Sequence, residues 1–164
     1  ELAYTGQHVN FIPKVESVTQ AFLTSEPYFM ELENVPVESK LISDAGYDPY
    51  NVVLYVTKDY LAENEATVKA FTTAFIEGWN LYKDSYEEIN KLVQKDNPDI
   101  ELASLKFEAE AQEQFVYGMD AAENGVGFMT EQRWATLIEQ LHDLELLDEV
   151  FDAKDIFTTD YLVQ

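Results

Sequence analysis

The chain has 164 residues, of which 46% are hydrophobic and 13% aromatic, so it is long and apolar enough for one domain with a real core, which argues against disorder. Its net charge of -22 would repel phosphate backbones and anionic lipid, so we expect no nucleic-acid or membrane-surface partner. The sequence has no cysteine and no apolar run of about 18 residues, which excludes thiol chemistry, thiolate metal sites and membrane insertion by this segment.

The first third of the chain predicts an α/β fold, because short β-rich runs are separated by glycine and proline. Three runs are candidate short strands, at residues 2–5, 22–24 and 40–43, with one or two helical turns at 14–20. The clearest strand is 51–57, Asn-Val-Val-Leu-Tyr-Val-Thr, whose continuous β-branched run is typical of a strand that is buried on both faces.

From Lys58 onward the pattern is almost wholly helical. Apolar residues at spacings of three and four predict helices at 65–83, 85–95, 100–117 and 131–147. Asn64 and Thr130 are the expected N-caps of the first and the last helix. Pro98 and Gly118 lie where the two middle helices should end.

Two turn-rich segments, at residues 21–29 and 44–51, place polar and aromatic side chains where a predicted strand stops. Open α/β sheets present groups to a ligand at such turns. The candidate ligand-binding residues are Thr24, Ser25, Glu26, Tyr28, Tyr47, Tyr50 and Asn51. These turns make a small-molecule pocket the leading functional hypothesis from the residues themselves.

Each candidate has a second interpretation that the residues leave open. Glu26 could accept hydrogen bonds from a ligand amine or ring N–H, or it could favour the start of a short helix at Pro27. The three tyrosines could stack on a flat heterocycle, or they could be core or interface residues among the 10 tyrosines of the chain. Asn51 could offer a ligand a donor and an acceptor, or it could only stabilise its turn.

The charge of the ligand is predicted from the scarcity of basic residues. The only arginine is Arg133, in the last long helix, and Lys58 is the nearest lysine to the two turns. An anion beside Glu26 would be repelled, so we expect a neutral or cationic nitrogenous ligand. The two histidines are isolated and no nucleophile elbow is visible, so we expect neither catalysis nor a metal or cofactor site.

The order and spacing of several segments resemble the substrate-binding proteins of ABC transporters, in the SsuA/ThiY-like class. The segments are Thr-Ser-Glu-Pro-Tyr-Phe at 24–29, Asp-Ala-Gly-Tyr-Asp-Pro-Tyr-Asn at 44–51, Phe-Thr-Thr-Ala-Phe-Ile-Glu-Gly-Trp at 71–79 and Gly-Phe-Met-Thr-Glu-Gln-Arg-Trp at 127–134. The class includes binders of thiamine-pyrimidine precursors, sulfonates and nitrate. The resemblance covers the chain from about residue 4 to the C-terminus.

The resemblance implies a two-lobed type II periplasmic-binding-protein fold, whose α/β lobes close over a ligand, and it implies that this chain is the second half. Residues 1–57 would be part of the second ligand-binding lobe and end in the return hinge strand. Residues 58–164 would be a helical C-terminal region that packs on the lobes. The missing N-terminal lobe, or self-association, would then cover the apolar helix faces.

The function that the resemblance implies is that of a transport receptor without enzymatic activity. It would bind a small polar nitrogen heterocycle, similar to a thiamine-pyrimidine precursor, by lobe closure and deliver it to an ABC permease. Its expected location is periplasmic or extracellular, with membrane anchoring as a lipoprotein through an N-terminal segment absent from this sequence. The alternatives are a pyrimidine-biosynthesis enzyme of the same fold, a transport protein for nitrate, sulfonate or taurine, and an interaction module whose helix faces meet another chain.

Overall fold

The computed structural model describes residues 11–13 and 16–162, and this part of the chain is built from helices and irregular segments. The α-helices are α1 (Glu26–Leu32), α2 (Lys58–Asp96), α3 (Leu102–Val116), α4 (Asp120–Asn124) and α5 (Glu131–Asp143). Two short 3-10 helices lie at Ile42–Ala45 and Ala153–Asp155.

The predicted α/β class with a β-rich first third is wrong, because the described residues contain helices and no β-strand. Residues 22–24 form a turn that leads into α1, and the candidate strand at 40–43 runs into the first 3-10 helix. The candidate at 2–5 lies outside the described residues, as does part of 14–20.

The segment 51–57 shows why the strand prediction was wrong. It has no regular secondary structure, and the backbone of residues 51–56 makes no hydrogen bond to another described residue. Val52 and Tyr55 are each 90% exposed, where the sequence pattern predicted burial on both faces. A β-branched run favours a strand only where a neighbouring strand pairs with its N–H and C=O groups. The described residues supply no such neighbour.

Helix α2 spans 39 residues, where the sequence predicted two separate helices. The predicted helix start after Asn64 and the predicted boundary between residues 83 and 85 are not helix ends; at these places α2 has kinks, because Asn64 (φ -133°) and Ser85 (φ -135°) have non-helical backbone angles. Asn64 does not cap the helix; its side-chain amide donates to the carbonyl of Tyr60 at 3.1 Å, a local bond of the kind that disturbs helix interiors. The helix begins earlier, at Thr57, whose hydroxyl accepts from the backbone N–H of Tyr60 at 3.1 Å.

The core of the helical region lies between α2 and α3. Ile76 of α2 and Leu105 and Ala109 of α3 are buried. The predicted apolar face of α2 forms a ladder of ring contacts along the helix, through Phe71, Phe75, Trp79, Tyr82 and Tyr86. Helix α3 ends just before Gly118, as predicted, where a Cβ atom would collide with the carbonyl oxygen of Gln114.

Helix α5 begins as predicted, because the hydroxyl of Thr130 accepts from the backbone N–H of Arg133 at 3.3 Å. It ends at Asp143, before the predicted end at residue 147, because Glu145 takes a left-handed conformation (φ 58°) and the N–H of Leu146 returns to the carbonyl of Leu141. Ile138 and Ala153 are almost fully buried where α5 meets the second 3-10 helix.

The chain exposes much more surface than a compact protein of its size. Its accessible surface is 12547 Å², against about 8,300 Å² expected for a folded monomer of this mass. Large apolar side chains contribute to the excess, among them Phe71, Leu81 and Leu92 of α2. None of the helices in the described residues combines the length and the apolarity needed to cross a bilayer.

Candidate functional site

The first candidate turn closes on itself at the start of α1. Pro27 lies in the first turn of the helix, and Ser25 precedes it without a side-chain cap. The Glu26 Oε2 atom accepts a hydrogen bond from the backbone N–H of Phe22 at 2.7 Å. Glu26 lies in the first turn of α1, where the alternative interpretation places it, but its hydrogen bond goes to a residue before the helix. A carboxylate has further acceptor sites on its second oxygen, so a ligand contact of Glu26 stays a prediction.

Tyr28 connects α1 to the helical region. Its ring lies 5.5 Å from that of Phe29 and 5.5 Å from that of Phe107 on α3, as measured between centroids. Such contacts contribute about 0.5–1.5 kcal/mol each beyond the area they bury. Tyr28 therefore has the packing role that the sequence left open, and Thr24, half-buried beside Ser25, belongs to the same turn.

The second candidate turn is held by Tyr50. Its hydroxyl donates to the carboxylate of Asp120 at 2.6 Å and accepts from the backbone N–H of Thr130 at 2.8 Å. One ring face carries the guanidinium of Arg133, with the Cζ atom 4.2 Å from the ring centroid. The ring centroid of Trp134 lies 5.8 Å from that of Tyr50. Trp134 also contacts Phe157, with 6.1 Å between the two ring centroids.

Arg133 completes this arrangement with contacts to the turn backbone. Its Nε atom donates to the carbonyl of Asp48, and Nη2 donates to the Asp48 carboxylate at 2.8 Å and to the Pro49 carbonyl at 3.4 Å. Nη1 lies 3.6 Å from the Asp120 carboxylate. The Arg133 side chain is only 20% exposed. One guanidinium thus lies between two carboxylates, and the Arg133 cluster (Asp48, Tyr50, Asp120, Thr130, Arg133 and Trp134) carries a net negative charge.

The two remaining candidates flank the Arg133 cluster in sequence. Tyr47 is 38% exposed and Asn51 is exposed, and neither side chain has a hydrogen bond or ring contact with another described residue. Next to Tyr47, Gly46 takes a left-handed conformation (φ 91°), and its carbonyl accepts from Gln140 of α5 at 2.8 Å. Both side chains are therefore accessible to a ligand.

No polar or ring contact joins the candidate side chains of the two turns in the part of the chain that the structure describes. Within the described residues, no hydrogen bond, ion pair or ring contact joins Glu26 or Tyr28 to Tyr47 or Tyr50. An open depression of about 350 Å³ between α2 and α3 is lined by other residues, Lys83, Glu110, Glu113, Gln114, Tyr117 and Gly118. These contacts do not join Glu26 to Tyr47 or Tyr50, and the ligand roles of all the candidate residues stay predictions.

The sequence did not predict which residues hold the second turn. They are Asp48, Asp120, Thr130 and Arg133. The distances along the chain explain this, because Tyr50 and Asp120 are 70 positions apart and Arg133 and Asp48 are 85 apart. The available signal was composition: a single arginine in a chain with 32 acidic residues should find carboxylate partners.

Burial changes the acidity of the tyrosines in the helical region. Removal from water raises the pKa of Tyr82, whose hydroxyl donates to Asn90 at 2.9 Å. Burial likewise raises the pKa of Tyr117, whose hydroxyl donates to the carbonyl of Trp79 at 2.7 Å. Lys83 lies over the ring of Tyr117, 5.0 Å from its centroid. The Tyr82–Asn90 bond lies within α2, whereas the contacts of Tyr117 with Trp79 and Lys83 join the end of α3 to α2.

Comparison with known proteins bears on the first half of the chain. Residues 7–89, half of the sequence, match the family model described as NMT1/THI5 like. The match includes all seven candidate residues, whereas Asp120, Thr130 and Arg133 lie beyond it. No curated protein and no solved structure gave a match.

The family is one of substrate-binding and related proteins, which bind small molecules and are typically extracellular or periplasmic. The predicted resemblance is therefore confirmed, and the chain belongs to the NMT1/THI5-like family.

Proposed function

We propose that this chain is part of the substrate-binding component of an ABC transporter, and that it binds a small nitrogen heterocycle similar to the pyrimidine precursor of thiamine. The family match supports the class, since it covers both candidate turns. In this proposal the protein acts outside the cytoplasm, anchored as a lipoprotein, and delivers its ligand to a permease. It carries out no catalytic step.

The observation that carries the ligand class is the engagement of Arg133. As the only arginine of the chain, it is the natural donor for a sulfonate or nitrate ligand, yet its N–H groups face Asp48, Pro49 and Asp120. Arg133 supplies one positive charge, and the carboxylates of Asp48 and Asp120 supply two negative ones, so the net charge around it is negative. A neutral or cationic heterocycle suits this environment better than an anion, because an anion would be repelled by the unbalanced carboxylate.

The proposed contacts use the accessible groups of the two turns. Glu26 would accept a hydrogen bond from the exocyclic amine of the ligand through the oxygen that does not bind Phe22. Tyr47 would stack on the heterocycle with its exposed ring, and Asn51 would offer a donor and an acceptor to the ring edge. Closure of the protein around the ligand would bring these groups together.

Titration calorimetry on the intact protein tests this proposal, with hydroxymethyl-aminopyrimidine as the probe and taurine and nitrate as anionic comparisons. We expect binding of the pyrimidine alone. Glu26→Ala should weaken it by about tenfold or more, because a hydrogen bond to a charged group contributes about 1.5–3 kcal/mol. Glu31→Ala is the matched control, an exposed acidic residue on the same helix, and should leave the affinity unchanged.

Two outcomes would contradict the proposal. Binding of taurine or nitrate in preference to the pyrimidine would place the protein with the anion carriers. Equal affinity of wild type and Glu26→Ala would remove Glu26 from the site.

A further inference from the structure

We propose that Arg133 is a positioning residue that orders the turn at residues 44–51 for its ligand. It would act through the turn backbone and through Tyr50, without touching the ligand. The inference rests on the proposed function for the identity of the ligand, and on the contacts of the Arg133 cluster for everything else.

The second half of the turn has no backbone hydrogen bonds to hold its conformation. Within the described residues, 47–50 form no backbone–backbone hydrogen bond, and the last such bond before them joins the N–H of Gly46 to the carbonyl of Ser43. A segment without internal hydrogen bonds samples many conformations unless other groups fix it. The contacts that fix this one come from α5 and from Asp120.

Helix α5 and its N-cap hold the turn at three points. At the beginning of the turn, the Gln140 side chain donates to the Gly46 carbonyl. At its end, Tyr50 accepts from the backbone N–H of Thr130, the N-cap of the same helix. Between them, Arg133 binds the carbonyl groups of Asp48 and Pro49. A rigid helix thereby sets the conformation of an otherwise irregular segment.

The chemistry of this position requires arginine. The planar guanidinium donates from Nε and Nη2 to the Asp48 carbonyl and carboxylate, directs Nη1 to Asp120, and stacks on the Tyr50 ring at the same time. A lysine ammonium has the same charge but no plane, so it can neither stack in this way nor bind in a fork. Arg133→Lys therefore separates the geometry of the side chain from its charge.

The functional consequence follows from the cost of ordering a binding segment. A turn that is already fixed loses less conformational entropy when a ligand arrives, so its affinity is higher. Tyr47 is adjacent to Gly46 and has no hydrogen bond or ring contact with another described residue, so it would gain the most from a fixed backbone. Loosening the turn should weaken ligand binding even though no ligand contact is removed.

Amide hydrogen exchange on the intact protein tests the positioning directly. In Arg133→Lys we expect the protection of the Thr130 amide, which donates to Tyr50, to fall by about tenfold or more, while that of the Ala109 amide in the core of α3 stays unchanged. Lys154→Gln is the matched control. It removes an exposed cation that pairs with Glu131 in the first turn of the same helix, and it should change neither amide.

The binding arm uses hydroxymethyl-aminopyrimidine and the same variants. Arg133→Lys should bind it about tenfold more weakly than wild type, and Lys154→Gln should bind it equally well. If Arg133→Lys does not fold, Asp48→Asn replaces it, because it removes the charge that pairs with Arg133 and leaves the hydroxyl of Tyr50, which accepts from Thr130, in place. Unchanged Thr130 protection, or an equal fall at Thr130 and Ala109, would overturn the positioning role. Absence of binding by the wild type would instead refute the proposed function, and the exchange data alone would then decide the role of Arg133.

Discussion

The described residues up to Thr57 and those from Lys58 onward have similar proportions of apolar residues, but they bury different shares of them. From Lys58 onward, apolar residues at helical spacing bury Ile76, Leu105 and Ile138, although others on α2 stay exposed. Before Lys58, Met30 is the one buried apolar side chain among the described residues, and Val52 and Tyr55 remain in water. The difference lies in the backbone, because a helix satisfies its N–H and C=O groups within one segment, whereas a strand needs another segment beside it.

The helical region depends mainly on its own contacts, whereas the first part of the chain depends on contacts with that region. The helical region has caps, a core and aromatic contacts that all come from nearby sequence or from adjacent helices. The first part is held mainly at two places, where Tyr28 meets Phe107 and where the turn at 44–51 meets α5. We therefore expect substitutions in the two regions to have very different effects.

The largest effect should come from the core of the helical region. Ile138 is 2% exposed, so Ile138→Ala should lower the free energy of unfolding by about 2–5 kcal/mol through lost burial and a cavity. Leu146→Ala, at a side chain that is 68% exposed, is the control and should cost less than about 0.5 kcal/mol. Urea denaturation measures both. Equal effects would mean that α5 is not packed as described.

An intermediate effect should appear at alkaline pH. Burial raises the pKa of Tyr82 above its usual 10.0 in the folded state. The unfolded chain therefore loses this proton first, and the contribution of Tyr82 to stability is complete below pH 10.0 and is lost as the pH rises towards the folded-state pKa. Tyr82→Phe should flatten the alkaline loss of stability, at a cost of about 1 kcal/mol at neutral pH for the hydrogen bond to Asn90.

Denaturation as a function of pH measures this, with Tyr55→Phe as the control in the first region. Tyr55 is 90% exposed, so the same substitution there should leave the alkaline slope as in wild type. A steeper slope in Tyr82→Phe would contradict the assigned role of burial.

The smallest effect should come from the unpaired segment. Val52→Thr keeps the β-branched shape of a side chain that is 90% exposed, and it should change the free energy of unfolding by less than about 0.5 kcal/mol. If Val52→Thr lowered the free energy of unfolding as much as Ile138→Ala does, residues 51–57 would have to be buried. The two regions would then not differ in how they bury apolar side chains.

The predictions from sequence divide along the same line. Thr130 as an N-cap and the helix end at Gly118 follow from local chemistry, and the structure contains both. The predicted N-cap at Asn64 and the predicted boundary between residues 83 and 85 are wrong as helix ends, because α2 continues through both with kinks at Asn64 and Ser85. The predicted strand at 51–57 was wrong, because its pattern shows only that these side chains would suit a sheet. The pattern does not show whether another strand is present to pair with the segment.

The candidate site divides in a similar way. The sequence predicts that Tyr50 either stacks on a ligand or is a core or interface residue, and in the structure Arg133 covers one face of its ring. Its partners Asp120, Thr130 and Arg133 come from the opposite end of the sequence. No periodicity connects positions so far apart, so only a folded structure could reveal that cluster.

The exposed segment 51–57 has a consequence for the isolated chain. Its seven residues carry no charge, and most of them favour extended structure, which is the composition of segments that stack into cross-β fibrils. Repulsion between chains of charge -22 opposes such stacking at neutral pH. Near the isoelectric point of about 4.1 that repulsion disappears. The excess of acidic residues thus keeps chains of this protein apart at neutral pH, and lowering the pH towards 4.1 would remove this protection.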